Sequence, residues 1–324
     1  MNHPTPSSTR PDPFLTAVIP VYRSANMLAR LHQRLTAVLD GLNKPYEILL
    51  VEDCGGDDSW DVIQQLAQKD QRVRGFKLGK NFGQHNALLC GIRAAHGQII
   101  ITLDDDLQNP PEEIPVLLSK LSEGHDVVYG TPVRQQHGAL RDMASTITKI
   151  ALQSAMGAEN ASKISAFRVF RTRLREAFET CNGPEVSIDV LLTWGTTRFS
   201  HIPVRQDERT DGVSGYTARK LLTHATNMMT GFSSVPLQIA SWLGFMFGIL
   251  GMAALGYVIV NYTFSGKAVP GFTFLASIIS IFAGVQLFTL GIFGEYLARI
   301  HFRTMSRPAY LVSASTDWTS GETE

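Results

Sequence analysis

The sequence predicts an α/β fold: a mostly parallel sheet with helices on both faces, then an interfacial helix and two C-terminal membrane spans. Three observations carry that expectation. Apolar runs rich in β-branched residues alternate with segments of helical spacing from Phe14 to Gly130, the pattern of strand–helix–strand units. The run Ile99–Leu103 stops abruptly at Asp104, Asp105 and Asp106. No Asp, Glu, Lys or Arg occurs from Leu221 through Gly266, nor from Ala268 through Gly294, which is composition written for lipid.

The elements follow in order. Met1 to Pro13 is polar and proline-rich; without an apolar core it is no signal peptide and reads as a disordered cytoplasmic lead. Phe14–Ile19 is the first strand, ended by Pro20, and Ser24 caps a helix whose apolar positions are Met27, Leu28, Leu31, Leu35, Val38 and Leu39. Tyr46–Val51 is a strand running into Glu52-Asp53, Trp60–Ala67 a helix, and Val73–Leu78 a strand. Gly79–Gly83 fits neither common phosphate-loop fingerprint and reads as a tight turn into a helix over Gly83–Ala95. Gln98–Leu103 is the fourth strand. Pro111 opens the next helix, with Glu112 and Glu113 at its positive end. Asp126–Gly130, Phe167–Phe170 and Phe199–Val204 are strands, with helices over Leu140–Met156 and between Ser187 and Trp194.

Glu208–Tyr216 is charged and glycine-broken, hence a loop. Beyond it, Leu221, Leu222, Ala225, Met228, Met229 and Phe232 form one helical stripe opposite Arg219, Lys220, His224 and Asn227, a helix suited to the membrane interface. Val235–Val260 and Phe272–Phe293 each exceed the ~20 residues needed to span a bilayer. Arg219 and Lys220 precede the first span, Arg299, His301, Arg303 and Arg307 follow the second, and the link holds only Lys267. Both ends are therefore expected in the cytoplasm. Gly244 and Gly248 form a small-xxx-small pair, and Gln286 is expected to face another helix. Residues after Leu311 read as disordered. The domain plan is 1–13 lead, 14–215 catalytic domain, 216–233 interfacial helix, 234–298 membrane hairpin and 299–324 cytoplasmic tail.

The chain's 29 basic and 29 acidic residues cancel, which argues against a nucleic-acid partner held by bulk charge. Cys54, Cys90 and Cys181 are widely spaced, so neither a zinc site nor a disulfide framework is expected. His85 has no partner at metal-ligand spacing and reads as structural.

The chemistry centres on the acidic triplet. If the strand's extended geometry continues, Asp104 and Asp106 project to one side, and two hard oxygen ligands at a strand's carboxyl end suit Mg²⁺ or Mn²⁺ carrying substrate phosphates. An acidic loop capping the next helix is the plainer alternative. The loops carrying Pro20-Val21-Tyr22, Glu52-Asp53 and the triplet are expected at one sheet edge. A soluble phosphate-and-metal domain fused to an apolar hairpin implies a water-soluble activated donor and a lipid acceptor. A lipid phosphate is already ionised near neutral pH, its second pKa being about 6, so it needs cations rather than a base. Arg134, Arg141 and Arg209 are candidates, because guanidinium matches phosphate in a forked geometry.

These residues carry a resemblance. Ile19-Pro20-Val21-Tyr22, Val51-Glu52-Asp53, Asn81–Ala87, Leu103–Pro115, Arg209 with Gly212 and Ser214, and Gly294-Glu295-Tyr296 with Arg299-Ile300 resemble the polyisoprenyl-phosphate glycosyltransferases of glycosyltransferase family 2. The resemblance implies a GT-A nucleotide-sugar fold and inversion at the anomeric carbon. It implies that Pro20, Tyr22, Val51 and Asp53 hold the nucleotide, that Asp104, Asp106 and Gln108 hold the metal and diphosphate, and that Asp105 lines the same pocket. Arg134, Arg141, Ser145 and Arg209 are implied to meet lipid or donor phosphates, with Ser214 beside them. The partners implied are a UDP-, GDP- or dTDP-sugar and undecaprenyl phosphate in the bacterial inner membrane, with assembly as a homotetramer. Three departures from the family pattern stand out: Arg23-Ser24 after Tyr22, Asp105 in the metal motif, and Gly215 where a lysine often follows the serine. A membrane enzyme building a polysaccharide or glycolipid, and a silent scaffold binding nucleotide sugar, are the alternatives.

Overall fold

A computed structural model describes residues 13–132, 163–179, 181, 186–207, 235–265, 271–305 and 307–317. The helix expected over Leu140–Met156, the interfacial helix at 216–233, and Arg134, Arg141, Ser145, Arg209 and Ser214 lie outside these residues.

The first half alternates strand and helix: β1 Leu15–Val21, α1 Ala25–Gly41, β2 Tyr46–Glu52, α2 Ser59–Lys69, β3 Val73–Leu78, α3 Gln84–Ala94, β4 Ile99–Thr102 and α4 Ile114–Ser122. Then come β5 Val127–Pro132, β6 Arg168–Arg171, α5 Ile188–Gly195 and β7 Phe199–Val204. Two long helices, α6 Val235–Ser265 and α7 Phe272–Thr304, precede a last strand, β8 Val312–Ser315.

The strands form one sheet of eight in the order β7-β5-β6-β4-β1-β2-β3-β8. It is mixed. β4-β1-β2-β3 and β5-β7 pair parallel, whereas β6 runs antiparallel to β4 and β5, and β8 antiparallel to β3. Every residue of β1 and β2 is buried, because helices cover both faces. Side chains alternate accordingly: Ala17, Ile19 and Val21 join Leu28, Leu31, Leu35 and Leu39 of α1 in one core, and Val18 joins Ala87, Leu88 and Ile92 of α3 in the other.

Pro20 does not end β1; it pairs with Val51 inside it. The Val21 carbonyl accepts the Asp53 N–H across the β2 side, so Pro20 faces the β4 side. Pairing there has stopped at Val18 with Thr102, and the missing N–H leaves nothing unpaired. Residues after Leu311 are not disordered where described. β8 caps the β3 edge, anchored by Gly79 N–H to the Leu311 carbonyl (2.9 Å), Gly75 N–H to Thr316 Oγ1 (2.9 Å), and Arg74 to Asp317 (2.7 Å).

Within α7, Ile281–Ala298 is long and apolar enough to cross a membrane and is not buried in the molecule; the corresponding stretch of α6, Leu237–Ala253, is shorter. The two helices meet where Phe282 stands edge-on to Phe247, ring centroids 6.0 Å apart. Gly251 makes room there: a Cβ on it would lie 3.2 Å from Phe282 Cζ. Gly244 and Gly248, the small-xxx-small pair, have nothing within 4 Å of such a Cβ. Gln286 is exposed rather than packed on α6. Leu290, four residues on and therefore on its side of the helix, is outward too, as are Leu287 and Phe288 around it.

Candidate active site

The chain adds β2 and β3 on one side of β1, then crosses to add β4 on the other. Such a reversal opens a crevice at the carboxyl ends of the strands, where ligands of open α/β sheets bind. The loops after β1, β2, β3 and β4 meet there, and hydrogen bonds join them into a closed circuit.

Asp105 links the β4 turn to the β1 loop: its Oδ2 accepts the Tyr22 N–H (3.0 Å) and the Ser24 hydroxyl (2.5 Å). Ser24 sits at the start of α1, but its hydroxyl caps no helix N–H. Donors at the helix start turn instead to the β2 loop, Ala25 N–H to Asp57 Oδ2 (3.2 Å) and Ser24 N–H to Ser59 Oγ (3.1 Å). Arg23, at φ +57, donates from Nε to the Gly55 carbonyl (2.9 Å). A Cβ on Gly55 would stand 2.8 Å from the Arg23 nitrogen, so only glycine allows this approach.

Asp53 links the β2 loop to the β3 loop, its two oxygens accepting the Phe82 N–H (2.7 Å) and the Gly83 N–H (2.8 Å). Gly83 turns the chain into α3 at φ +94, a conformation that favours glycine. The first residue of α3, Gln84, closes the circuit by donating from Nε2 to Asp104 Oδ1 (2.6 Å). Burial pushes the Asp53 carboxyl above its ordinary pKa against the pull of its two amide donors. Burial does the same at Asp105, against the Ser24 and Tyr22 hydrogen bonds.

The acidic segment is a turn rather than a continued strand. β4 stops at Thr102, and Leu107 is buried at φ +58. Strand alternation therefore does not bring Asp104 and Asp106 together. Asp106 Oδ1 accepts the Gln108 N–H (3.1 Å), and the Gln108 carbonyl accepts the Asp207 N–H (2.9 Å). Arg34 of α1 braces the same corner, with a forked pair to Glu112 (2.9 and 2.7 Å) and a longer reach to Asp207 (3.4 Å).

Behind β4 lies a buried polar cluster. Arg168 of β6 donates from Nε to Thr102 Oγ1 (3.1 Å) and is paired with Asp189 of α5, which also accepts the Tyr129 hydroxyl (3.0 Å). His85 is structural: its Nδ1 accepts the Ile188 N–H at 3.4 Å, tying α3 to α5. Of the cysteines, Cys54 is exposed, Cys90 buried and Cys181 half-buried, all free.

Of the residues the sequence singles out, Tyr22, Asp53, Asp104, Asp105, Asp106 and Gln108 belong to the joined loops. Tyr22 is 46 % exposed, open to a ligand. Val51 and Pro20 are buried, and the Val51 side chain packs in the α3-side core. Asp105 is a latch between the β1 loop and the acidic turn. The roles of Ser24, Gln84 and Arg168 were missed, because their partners lie 81, 20 and 21 residues or more away.

The donor set fits a divalent cation. Among the described residues no three His, Cys, Asp or Glu side chains converge on a closed metal site. Mg²⁺ and its like commonly take one or two carboxylates and complete their shell with water and substrate phosphates, a share that half-buried carboxylates at the strand ends, such as Asp104 and Asp106, are chemically able to supply.

A model of the family described as "Glycosyl transferase family 2" matches residues 16–181. Undecaprenyl-phosphate 4-deoxy-4-formamido-L-arabinose transferase of Edwardsiella ictaluri (strain 93-146) is 33% identical over 302 residues, 92% of this chain and 93% of that one. Among solved structures, glucosyl-3-phosphoglycerate synthase from Mycobacterium tuberculosis, in complex with Mn²⁺, uridine diphosphate and phosphoglyceric acid, superposes with a TM-score of 0.51. It is 15% identical, over 67% of this chain and 76% of that one; at that identity the likeness concerns the fold, which is GT-A-like. With a family model over the half of the chain that runs from β1 through β6 and a relative matched nearly end to end, the chain belongs to glycosyl transferase family 2.

Proposed function

We propose that this glycosyltransferase moves a sugar, with inversion at the anomeric carbon, from a UDP-, GDP- or dTDP-sugar to undecaprenyl phosphate at the cytoplasmic face of a bacterial inner membrane. The observation that carries the reading is the match to a transferase named for undecaprenyl phosphate, which covers 92% of this chain and so includes the apolar helices as well as the sheet. A lipid acceptor also accounts for the outward row on those helices, such as Trp242, Phe245, Leu287 and Phe288, each more than half exposed. We read α6 and α7 as two membrane spans on this ground.

Asp104, Asp106 and Gln108 would hold Mg²⁺ or Mn²⁺. Such an ion, when bound, neutralises charge on a diphosphate leaving group. Tyr22 and the loop clamped by Asp53 border the place for the nucleotide. The Asp207 N–H is hydrogen-bonded to the Gln108 carbonyl of the acidic turn, and Arg209 follows two positions later in the sequence. We assign Arg209, with Arg134, Arg141, Ser145 and Ser214, to the phosphates of donor and acceptor. The lipid phosphate attacks as an anion, so no side chain need take a proton from it. We extend the proposal to a homotetramer built through α6 and α7, whose apolar faces and exposed Gln286 await partners or lipid.

The test uses purified full-length protein, undecaprenyl phosphate, a panel of nucleotide sugars and Mg²⁺ or Mn²⁺. A lipid-linked sugar from at least one donor supports the reading; none from any donor refutes it.

A further inference from the structure

We propose that Gln84 is a positioning residue, setting the orientation of the Asp104 carboxylate for the divalent cation. This rests on the metal role given to Asp104 above. A carboxylate only accepts hydrogen bonds, so the Gln84 amide must present its nitrogen, and the 2.6 Å separation from Asp104 Oδ1 is a short one. Metal-binding side chains are commonly oriented by a hydrogen bond from an outer residue, and losing that partner typically costs 10–100-fold in affinity.

The amide is delivered by a loop with little freedom. Asp53 holds the backbone N–H groups of both preceding residues, Phe82 and Gly83. Asn86 Nδ2 grips the Phe82 carbonyl at 2.7 Å from the other side. Gly83 then starts α3, whose residues Asn86 to Ile92 are buried, so Gln84 stands on the end of a fixed helix. Asp53, buried and doubly engaged, thus acts on Asp104 through Gln84. The chain of contacts joins the β2 loop to the acidic turn across β1, which lies between them in the sheet.

The experiment titrates Mn²⁺ into the full-length protein, saturated with whichever of UDP, GDP and dTDP the wild type binds, and reads free Mn²⁺ by its electron paramagnetic resonance signal. Gln84→Met keeps the side chain's length and removes the donor. It is expected to weaken Mn²⁺ about 10-fold while nucleotide affinity without metal and the unfolding temperature stay at wild-type values. In an Asp104→Asn background the same change is expected to cost less than about twofold, since residues acting through one another are not additive. Transfer by Gln84→Met should recover at high Mn²⁺. Wild-type Mn²⁺ affinity in Gln84→Met, with Asp106→Asn impaired, overturns the proposal and leaves the metal site standing. An undiminished loss in the Asp104→Asn background overturns it also. Wild-type Mn²⁺ affinity in both Asp104→Asn and Asp106→Asn would instead remove the metal site itself.

Discussion

At the scale of single residues, one buried ion pair and one buried carboxylate give the sharpest stability predictions. Arg168 and Asp189 are each almost wholly buried, and the pair is further bonded to Thr102 and Tyr129. Removing one member strands the other charge, which typically costs 3–5 kcal/mol. Asp189→Ala should therefore lower the unfolding free energy by about that amount. Arg168→Met with Asp189→Leu should recover most of it; denaturant titration of the two variants checks this. Asp126 is the second group. Burial pushes its carboxyl up, but Arg198, Thr196 and Arg173 outweigh that and hold it at about 2. An unfolded Asp titrates near 3.9. The stabilisation is whole above about pH 4 and lost as pH falls through 2. Thermal unfolding followed from pH 5 to 2.5 should show a shallower acid limb in Asp126→Asn than in wild type. Asp70, held at about 2 by Arg72 and His32 against its burial, keeps that limb from vanishing.

Elements were legible in proportion to how local their cause is. Val73–Leu78 is a strand with the very limits read from the sequence, because Gly79 breaks the run. The circuit around the crevice was not legible: Asp105 and Ser24 are 81 residues apart, and nothing in a linear pattern pairs them. β8 was missed for a related reason. Val-Ser-Ala-Ser carries weak strand signal, and its state comes from an open partner edge at β3 rather than from propensity. Pro20 was misjudged because a proline within a strand is costly only where the partner needs its N–H. The β8 strap makes a prediction. Ending the chain after Pro308 removes the buried Ala309 and the Tyr310 ring that sits 5.8 Å from the Arg93 guanidinium, and bares the β3 edge. Such an edge is a template for aggregation. The truncated protein should unfold at lower temperature and aggregate in light scattering; unchanged behaviour would show that β8 contributes nothing to the sheet.

Over the whole molecule, the sheet's crevice and the apolar helices belong to one continuous design. The chain leaves the catalytic sheet at β7, runs through α6 and α7, and returns to the same sheet as β8. The helices are thus anchored at their far end to the edge opposite β7. Such a tie joins the end of the helical hairpin to the sheet through the β3–β8 pairing. The apolar composition of the helices was legible from charge alone, whereas their packing was not: among the described contacts Gly251 stands against Phe282, while Gly244 and Gly248 have nothing within 4 Å of an added Cβ. Mass photometry of the detergent-purified protein should show a tetramer, and a monomer would refute that part of the proposal. The account's central claim is metal-assisted transfer to a polyprenyl phosphate, and mass spectrometry of the lipid fraction after incubation with the donor panel tests it most directly. The account predicts a sugar-bearing undecaprenyl phosphate from wild-type protein with Mg²⁺ or Mn²⁺. With several kcal/mol of charge stabilisation at stake, Asp106→Asn should give at least about 100-fold less. Equal product from the variant, or unmodified lipid with every donor, would contradict it.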